Sequence, residues 1–177
     1  MARPRRDVPL NVFLNSRLVG RLNRQSSGAI DFQYDLSWLA WEHALPVSLS
    51  LPLREDRYIG APVIAVFDNL LPDSMPIRRR MAERVHAQGI DAYDLLAAVG
   101  RDCVGALQFL RDGIEPGVAG AVGGKPIDDK GIARLLGDLA SAPLGLGEDE
   151  DFRISIAGAQ EKTALLFWNG RWYKPLA

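Results

Sequence analysis

The stretch Ala157-Gly158-Ala159-Gln160-Glu161-Lys162 combines residue types that can hold a phosphate. Small side chains at Ala157, Gly158 and Ala159 let an anion approach backbone N–H groups, and Lys162 adds a point charge. A Walker P-loop would need two glycines, a Gly-Lys-Ser/Thr ending and a following helix, and that pattern is absent. Apolar alternation flanks the loop instead: Phe152, Ile154 and Ile156 against Arg153 and Ser155 before it, and a second apolar run from 163 to 168 after it. A strand–loop–strand lid over nucleotide phosphates is the solution used by protein kinases. Read from its residues alone, the loop fits an ordinary hairpin better, with Ser155 an outward-facing strand serine; Glu161 and Lys162 as solvated charges remain an alternative.

The elements that must position this loop follow from hydrophobic period. Runs at 10–14 and 18–22 are split by Asn15-Ser16-Arg17, a polar trio suited to a tight turn. Ile30, Phe32 and Tyr34 alternate with polar neighbours, and so do Val47, Leu49, Leu51 and Leu53, where Pro52 favours an edge strand. Ile77, Met81 and Val85 recur at helical spacing. Asp91 is placed to cap a helix through Tyr93, Leu95, Leu96 and Val99, with Gly100 expected to supply a left-handed stop. Residues 104–110 read as a strand. Five glycines in 113–124 predict a mobile linker. Asp128 or Asp129 opens a helix with Ile132, Leu135, Leu136 and Leu139 on one face, and a loop follows over 142–151. Asn169-Gly170 is the strongest short hairpin signal in the chain.

Other reactive residue types read as structural. His43 and His86 lack ligand spacing, and Cys103, the single cysteine, precedes an apolar run and fits a core position. Asp68, Asn69, Asp73 and Ser74 form a polar cluster that reads best as helix end, proline break and new cap. Trp38 and Trp41 are expected to pack on a helix face. Arg78, Arg79, Arg80 and Arg84 read as a solvated helix face, with contact to an acidic partner or DNA phosphate as the sharper alternative. With 177 residues, 47% hydrophobic content and a formal charge of -1, the chain can bury a core and carries no global basic field. One cysteine, no signal-peptide core and no long apolar segment predict a cytoplasmic protein away from membranes.

The segment from Phe152 to Leu165, Phe-Arg-Ile-Ser-Ile-Ala-Gly-Ala-Gln-Glu-Lys-Thr-Ala-Leu, resembles the nucleotide-loop motif of HipA serine/threonine kinases. Three upstream blocks resemble the same family in the same order: Ser48-Leu-Ser-Leu-Pro-Leu53, Phe67-Asp-Asn-Leu-Leu-Pro-Asp-Ser74, and Asp94-Leu-Leu96 leading to Gly100-Arg-Asp-Cys-Val-Gly-Ala106. The resemblance covers nearly the whole chain. It implies the N-terminal portion of a bacterial toxin–antitoxin kinase associated with persistence, partnered by a small DNA-binding antitoxin, HipB, and meeting DNA only through it. It further implies that Ser155 is an autophosphorylation site and that Ala157, Gly158, Ala159, Gln160, Glu161 and Lys162 contact ATP. The complete kinase would use ATP and Mg2+, neither of which this chain alone is expected to hold stably. In the family the phosphate-holding lysine and the catalytic and metal-binding aspartates lie downstream of the region covered. No catalytic or metal-binding residue is therefore assigned, Lys174 is not given the lysine's role, and the chain alone is expected to lack phosphotransfer activity.

The fold expected is α+β, with a mostly β N-terminal subdomain and packed helices followed by a β-hairpin fragment of a kinase-like N-lobe. The boundaries are 1–112 for the subdomain, 113–127 for a Gly-rich linker, 128–150 for a helix and loop, and 151–177 for the start of the lobe. The alternative is a free-standing regulatory or antitoxin module that restrains a separate HipA-like kinase core. A pure regulator has no need of Ser155 to Lys162, so the loop favours the kinase reading, with its core supplied in cis or in trans.

Overall fold

A computed structural model describes residues 8–103, 106–117, 123–141 and 164–175 of the chain. The fold is α+β, built on two antiparallel sheets. In the first, β1 (Leu10–Leu14) and β2 (Arg17–Arg24) form the expected hairpin, with Asn15 and Ser16 both at positive φ, 49° and 64°. That pair of left-handed residues matches the twist of the flanking strands. Strands β3 (Ile30–Tyr34), β4 (Tyr58–Ile59) and β5 (Leu107–Arg111) complete the order β4-β3-β2-β1-β5. Pairing slips between Val12 and Phe13, leaving Val19 as the extra residue of a bulge, and the adjoining Gly20 lies between Val12 of β1 and Tyr34 of β3. A Cβ at Gly20 would stand 2.3 Å from the Gln33 carbonyl oxygen and 2.9 Å from the Phe32 ring, so only glycine fits there.

One face of this sheet packs against helices. Helix α1 (Leu36–Leu39) is a single turn capped by Asp35 and buries Trp38, while Trp41 lies just beyond it with its ring 5.1 Å from that of Trp38. Helix α2 (Ala61–Asp68) sends Phe67 between Phe32 and Phe109, each at 5.4 Å and edge-on, the arrangement aromatic quadrupoles favour. Helix α3 (Met75–Arg84) buries Met81, with Ile77 and Val85 packed beside it, as their spacing predicts. Helix α4 (Ala92–Val99) starts at Asp91, whose carboxylate accepts from the Asp94 N–H at 3.0 Å, and buries Tyr93, Leu95, Leu96 and Val99. Cys103 is a buried core side chain.

Two local expectations are corrected. Gly100 is right-handed, φ −69°, and leads into a 3-10 turn instead of a left-handed stop. Glycine is needed there for space, because a Cβ would stand 2.6 Å from the Cβ of Phe109. The stretch from Val47 to Leu53 is no strand; it makes one isolated bridge, Ser48 to Leu51. Tyrosine hydroxyls override its period-two pattern. Tyr34 donates to the Leu51 carbonyl and accepts from the Val47 N–H, and Tyr58 donates to the Pro52 carbonyl. Leu51 is thereby drawn into the core while Leu49 stands 94% exposed. Burial pushes the Tyr34 hydroxyl up to about 12.

The second sheet has the order β6-β8-β7, with β6 (Gly124–Ile127), β7 (Leu166–Trp168) and β8 (Arg171–Pro175). Residues 124–127, expected within the linker, are thus a strand of the same sheet as the Asn169-Gly170 hairpin. Helix α5 (Asp129–Ser141) follows β6, and Asp128 caps it by accepting from the Gly131 N–H at 2.8 Å.

Candidate functional site

Ser155 and the loop residues Ala157, Gly158, Ala159, Gln160, Glu161 and Lys162 lie outside the described residues. The frame that follows the loop in the chain is described. Leu166, which opens β7, is four residues beyond Lys162 in the chain. The β7–β8 hairpin turns at Asn169 and Gly170, φ 49° and 73°, the mirror-image turn that Asn-Gly favours. Its register is Leu166 with Tyr173, Phe167 with Trp172 and Trp168 with Arg171.

On its other side β8 meets β6, and there Lys125 stands opposite Lys174 and Ile127 opposite Trp172. Gly124 makes the close approach possible, since a Cβ there would lie 2.7 Å from the Cβ of Tyr173. Side chains alternate along a strand, so Lys125, Ile127, Phe167, Trp172 and Lys174 share one face. The Phe167 and Trp172 rings are 4.9 Å apart and remain 58% and 40% exposed. Burial and, secondarily, the charge of Lys125 pull the Lys174 ammonium below the usual lysine range. Lys125 escaped sequence reasoning because it falls among glycines; a lone Lys-Pro-Ile after Gly-Gly was the available signal.

The upstream blocks are structural nodes. In the block from Phe67 to Ser74, Asp68 receives a bidentate pair from Arg78, at 2.6 and 3.0 Å, and the Pro72 carbonyl accepts from Arg78 Nε at 2.6 Å. Arg78 is 7% exposed and is corrected from the solvated face to a buried clamp between α2 and α3. Arg79 and Arg80 remain exposed. Asp94, in the third block, joins Asp91 in holding Arg24 of β2, at 3.0 and 2.5 Å, with the guanidinium 4.5 Å over the Tyr93 ring. Asp31, buried, accepts from Asn23 and Gln25, both at 2.9 Å. Among the described residues no three His, Cys, Asp or Glu are grouped to hold a metal ion, and no helix is long and apolar enough to cross a membrane.

Comparison with known proteins gives these nodes a context. The sequence profile of the family described as HipA N-terminal domain matches residues 10–110, the span of the first sheet and its helices. A protein of Sinorhizobium fredii named "Putative kinase Y4mE" is 35% identical over 171 residues, 95% of this chain and 40% of its own length. The chain therefore spans well under half of that relative. A solved structure from Shewanella oneidensis MR-1, described as the toxin–antitoxin system HipA, HipB and its operator DNA complex, matches with a TM-score of 0.63 at 22% identity, covering 92% of this chain and 37% of that one. At that identity the likeness shows the fold. The profile match covers more than half of the chain, and the chain belongs to the HipA N-terminal domain family.

Proposed function

We propose that the chain acts as the N-terminal portion of a HipA-type serine/threonine kinase of a cytoplasmic toxin–antitoxin system. The observation that carries this reading is the identity with Y4mE, which runs over 95% of the chain and so past the family domain into the loop region. In this reading residues 157–162 contact ATP, with Mg2+ supplied in the complete kinase, and Ser155 is the phosphorylated residue. The base, the metal ligands and the phosphate lysine come from a kinase core in cis or in trans. A HipB-like antitoxin is the protein partner, a role supported by the HipA–HipB–DNA assembly in which the structural neighbour was solved.

Ser155 precedes Ala157 by two residues, so a phosphate there adds about −1.5 to −2 charge where nucleotide phosphates would sit. Phosphorylation then competes with ATP and switches the kinase off. The test compares nucleotide affinity of the chain reconstituted with a HipA-type core, with Ser155 unmodified, phosphorylated or replaced by Ala. Weaker binding on phosphorylation alone is expected; equal affinities in all three states would overturn the reading. A second reading, a regulatory module restraining a separate core, is favoured by the first sheet closing its own core without the second. That module would bind the core yet lower its phosphotransfer rate.

A further inference from the structure

The stretch that follows β5 is tied to the first sheet at both of its ends. Gly113, at φ 81°, turns the chain back where the Ile114 N–H donates to the Arg111 carbonyl at 3.1 Å. Asn11 Nδ2 donates to the Asp112 carboxylate at 3.4 Å, and Ser16 Oγ donates to the Gly117 carbonyl at 2.5 Å. Both bonds join residues 101 apart in sequence, so residues 112–117 advance in step with 11–16. Only extended chain, at about 3.3–3.6 Å per residue, keeps pace with a strand in this way.

The strand register identifies the face these residues cross. Side chains alternate along β1 and β5, whose pairing is unbroken, so Asn11 and Phe13 share with Leu110 and Gln108 the face opposite to Val12 and Phe109. Phe13 and Leu110 are nevertheless only 8% and 4% exposed, and neither belongs to the core that the helices close. Their burial requires a cover on the side away from that core. The turn holding the far end of the segment differs from its counterpart in the second sheet. Both turns are left-handed at two residues, Asn15 and Ser16 in one, Asn169 and Gly170 in the other. Glycine suits the second position, and the serine that stands there in the first turn is strained. Its hydroxyl is the group bonded to Gly117.

We propose that residues 112–117 are a latched strap: Ser16 holds the segment closed over Phe13 and Leu110, and loss of that one hydroxyl frees it while the sheet beneath stays folded. The strap precedes β6 in the chain, so the latch also fixes the point from which the backbone leaves the first sheet. No residue of the loop over 157–162 enters the device, which stands whether or not the chain binds ATP.

The test compares the full chain as wild type, Ser16→Gly and Ser16→Ala by hydrogen exchange, melting curve and the fluorescence of an apolar dye. Ser16→Gly relieves the turn and removes the latch, whereas Ser16→Ala removes the latch and keeps the strain. Exchange across 112–117 should quicken about three- to tenfold in both, the shift that one lost hydrogen bond gives a local opening. Exchange in β2 and β3 should stay as in wild type. Melting should be unchanged or higher for Ser16→Gly and lower for Ser16→Ala. Dye fluorescence should rise in both as Phe13 and Leu110 open to solvent. Wild-type exchange across 112–117 in folded Ser16→Gly would overturn the latch. So would exchange that follows the melting temperature, quickened by Ala but not by Gly, since Ser16 would then act on the turn alone. Quickened exchange with no rise in dye fluorescence would overturn the strap as the cover of Phe13 and Leu110.

Discussion

The two sheets treat their aromatic and charged residues in opposite ways. In the first, Phe32, Phe67 and Phe109 interlock edge to face in the core, and the charges of Asp31, Arg78 and Arg24 are each held by named partners. In the second, Phe167, Trp168 and Trp172 stand 40–58% exposed, and two lysines face each other. Buried rings and buried, partnered charges are what stability selects, whereas half-exposed rings on a sheet add less to it and suit contact with another surface. The family profile, matching residues 10–110, coincides with the first arrangement. Scaffold and display are thus separated along the chain.

Substitutions should show the same division. Phe67→Ala removes the ring that links β3 to β5 and should cost about 4 kcal/mol in chemical denaturation. A loss below about 1 kcal/mol would mean that the aromatic triad is not the keystone of the first sheet. Asp68→Ala leaves the Arg78 guanidinium buried with only carbonyl partners and should cost about 2–3 kcal/mol, reduced from the fully buried case because Asp68 itself is partly solvated. Arg78→Met should recover part of that loss, since it removes the unpaired charge while keeping its volume.

Tyr34→Phe should cost about 1–2 kcal/mol, because it strands the Leu51 carbonyl and the Val47 N–H. It also carries a pH signature. The folded-state pKa of about 12 lies above the ordinary tyrosine value of 10.0, so this contribution is complete below pH 10 and is lost as pH rises toward 12. Denaturation midpoints from pH 9 to 12 should fall more steeply for wild type than for Tyr34→Phe. Parallel slopes would remove the hydroxyl from the account. Trp172→Ala should change stability least, by about 1 kcal/mol or less, since its half-exposed ring has one aromatic partner. A loss as large as that of Phe67→Ala would erase the distinction between the sheets.

Much of the first sheet was legible in the sequence because local signals and global packing agree there. The polar turn at 15–16, the alternation in Ile30 to Tyr34, the Asp91 cap and the Met81 stripe each act within a few residues. The segment from Val47 to Leu53 was misread because its backbone answers to two tyrosine hydroxyls outside it, Tyr34 before and Tyr58 after, which no periodicity encodes. Arg78 was misread for a related reason: its partners, Asp68 and the Pro72 carbonyl, sit across a helix break. Strand β6 hid among glycines, and its reason for being a strand lies far along the chain at β8, where Gly124 meets Pro175 and Lys125 meets Lys174. The loop motif was legible only through resemblance, since small residues between strands have many uses.

Hydrogen exchange of the chain reconstituted with a HipA-type core, with and without MgATP, tests the division of labour most directly. The slowest-exchanging amides should lie in β1, β2 and β3, whose central pairing is buried on the core face, and their rates should not respond to nucleotide. Slowing on addition of MgATP should be confined to residues 124–127 and 164–175 together with the loop that precedes them. Nucleotide-dependent slowing in β1 to β3 with none in β6 to β8 would contradict the account.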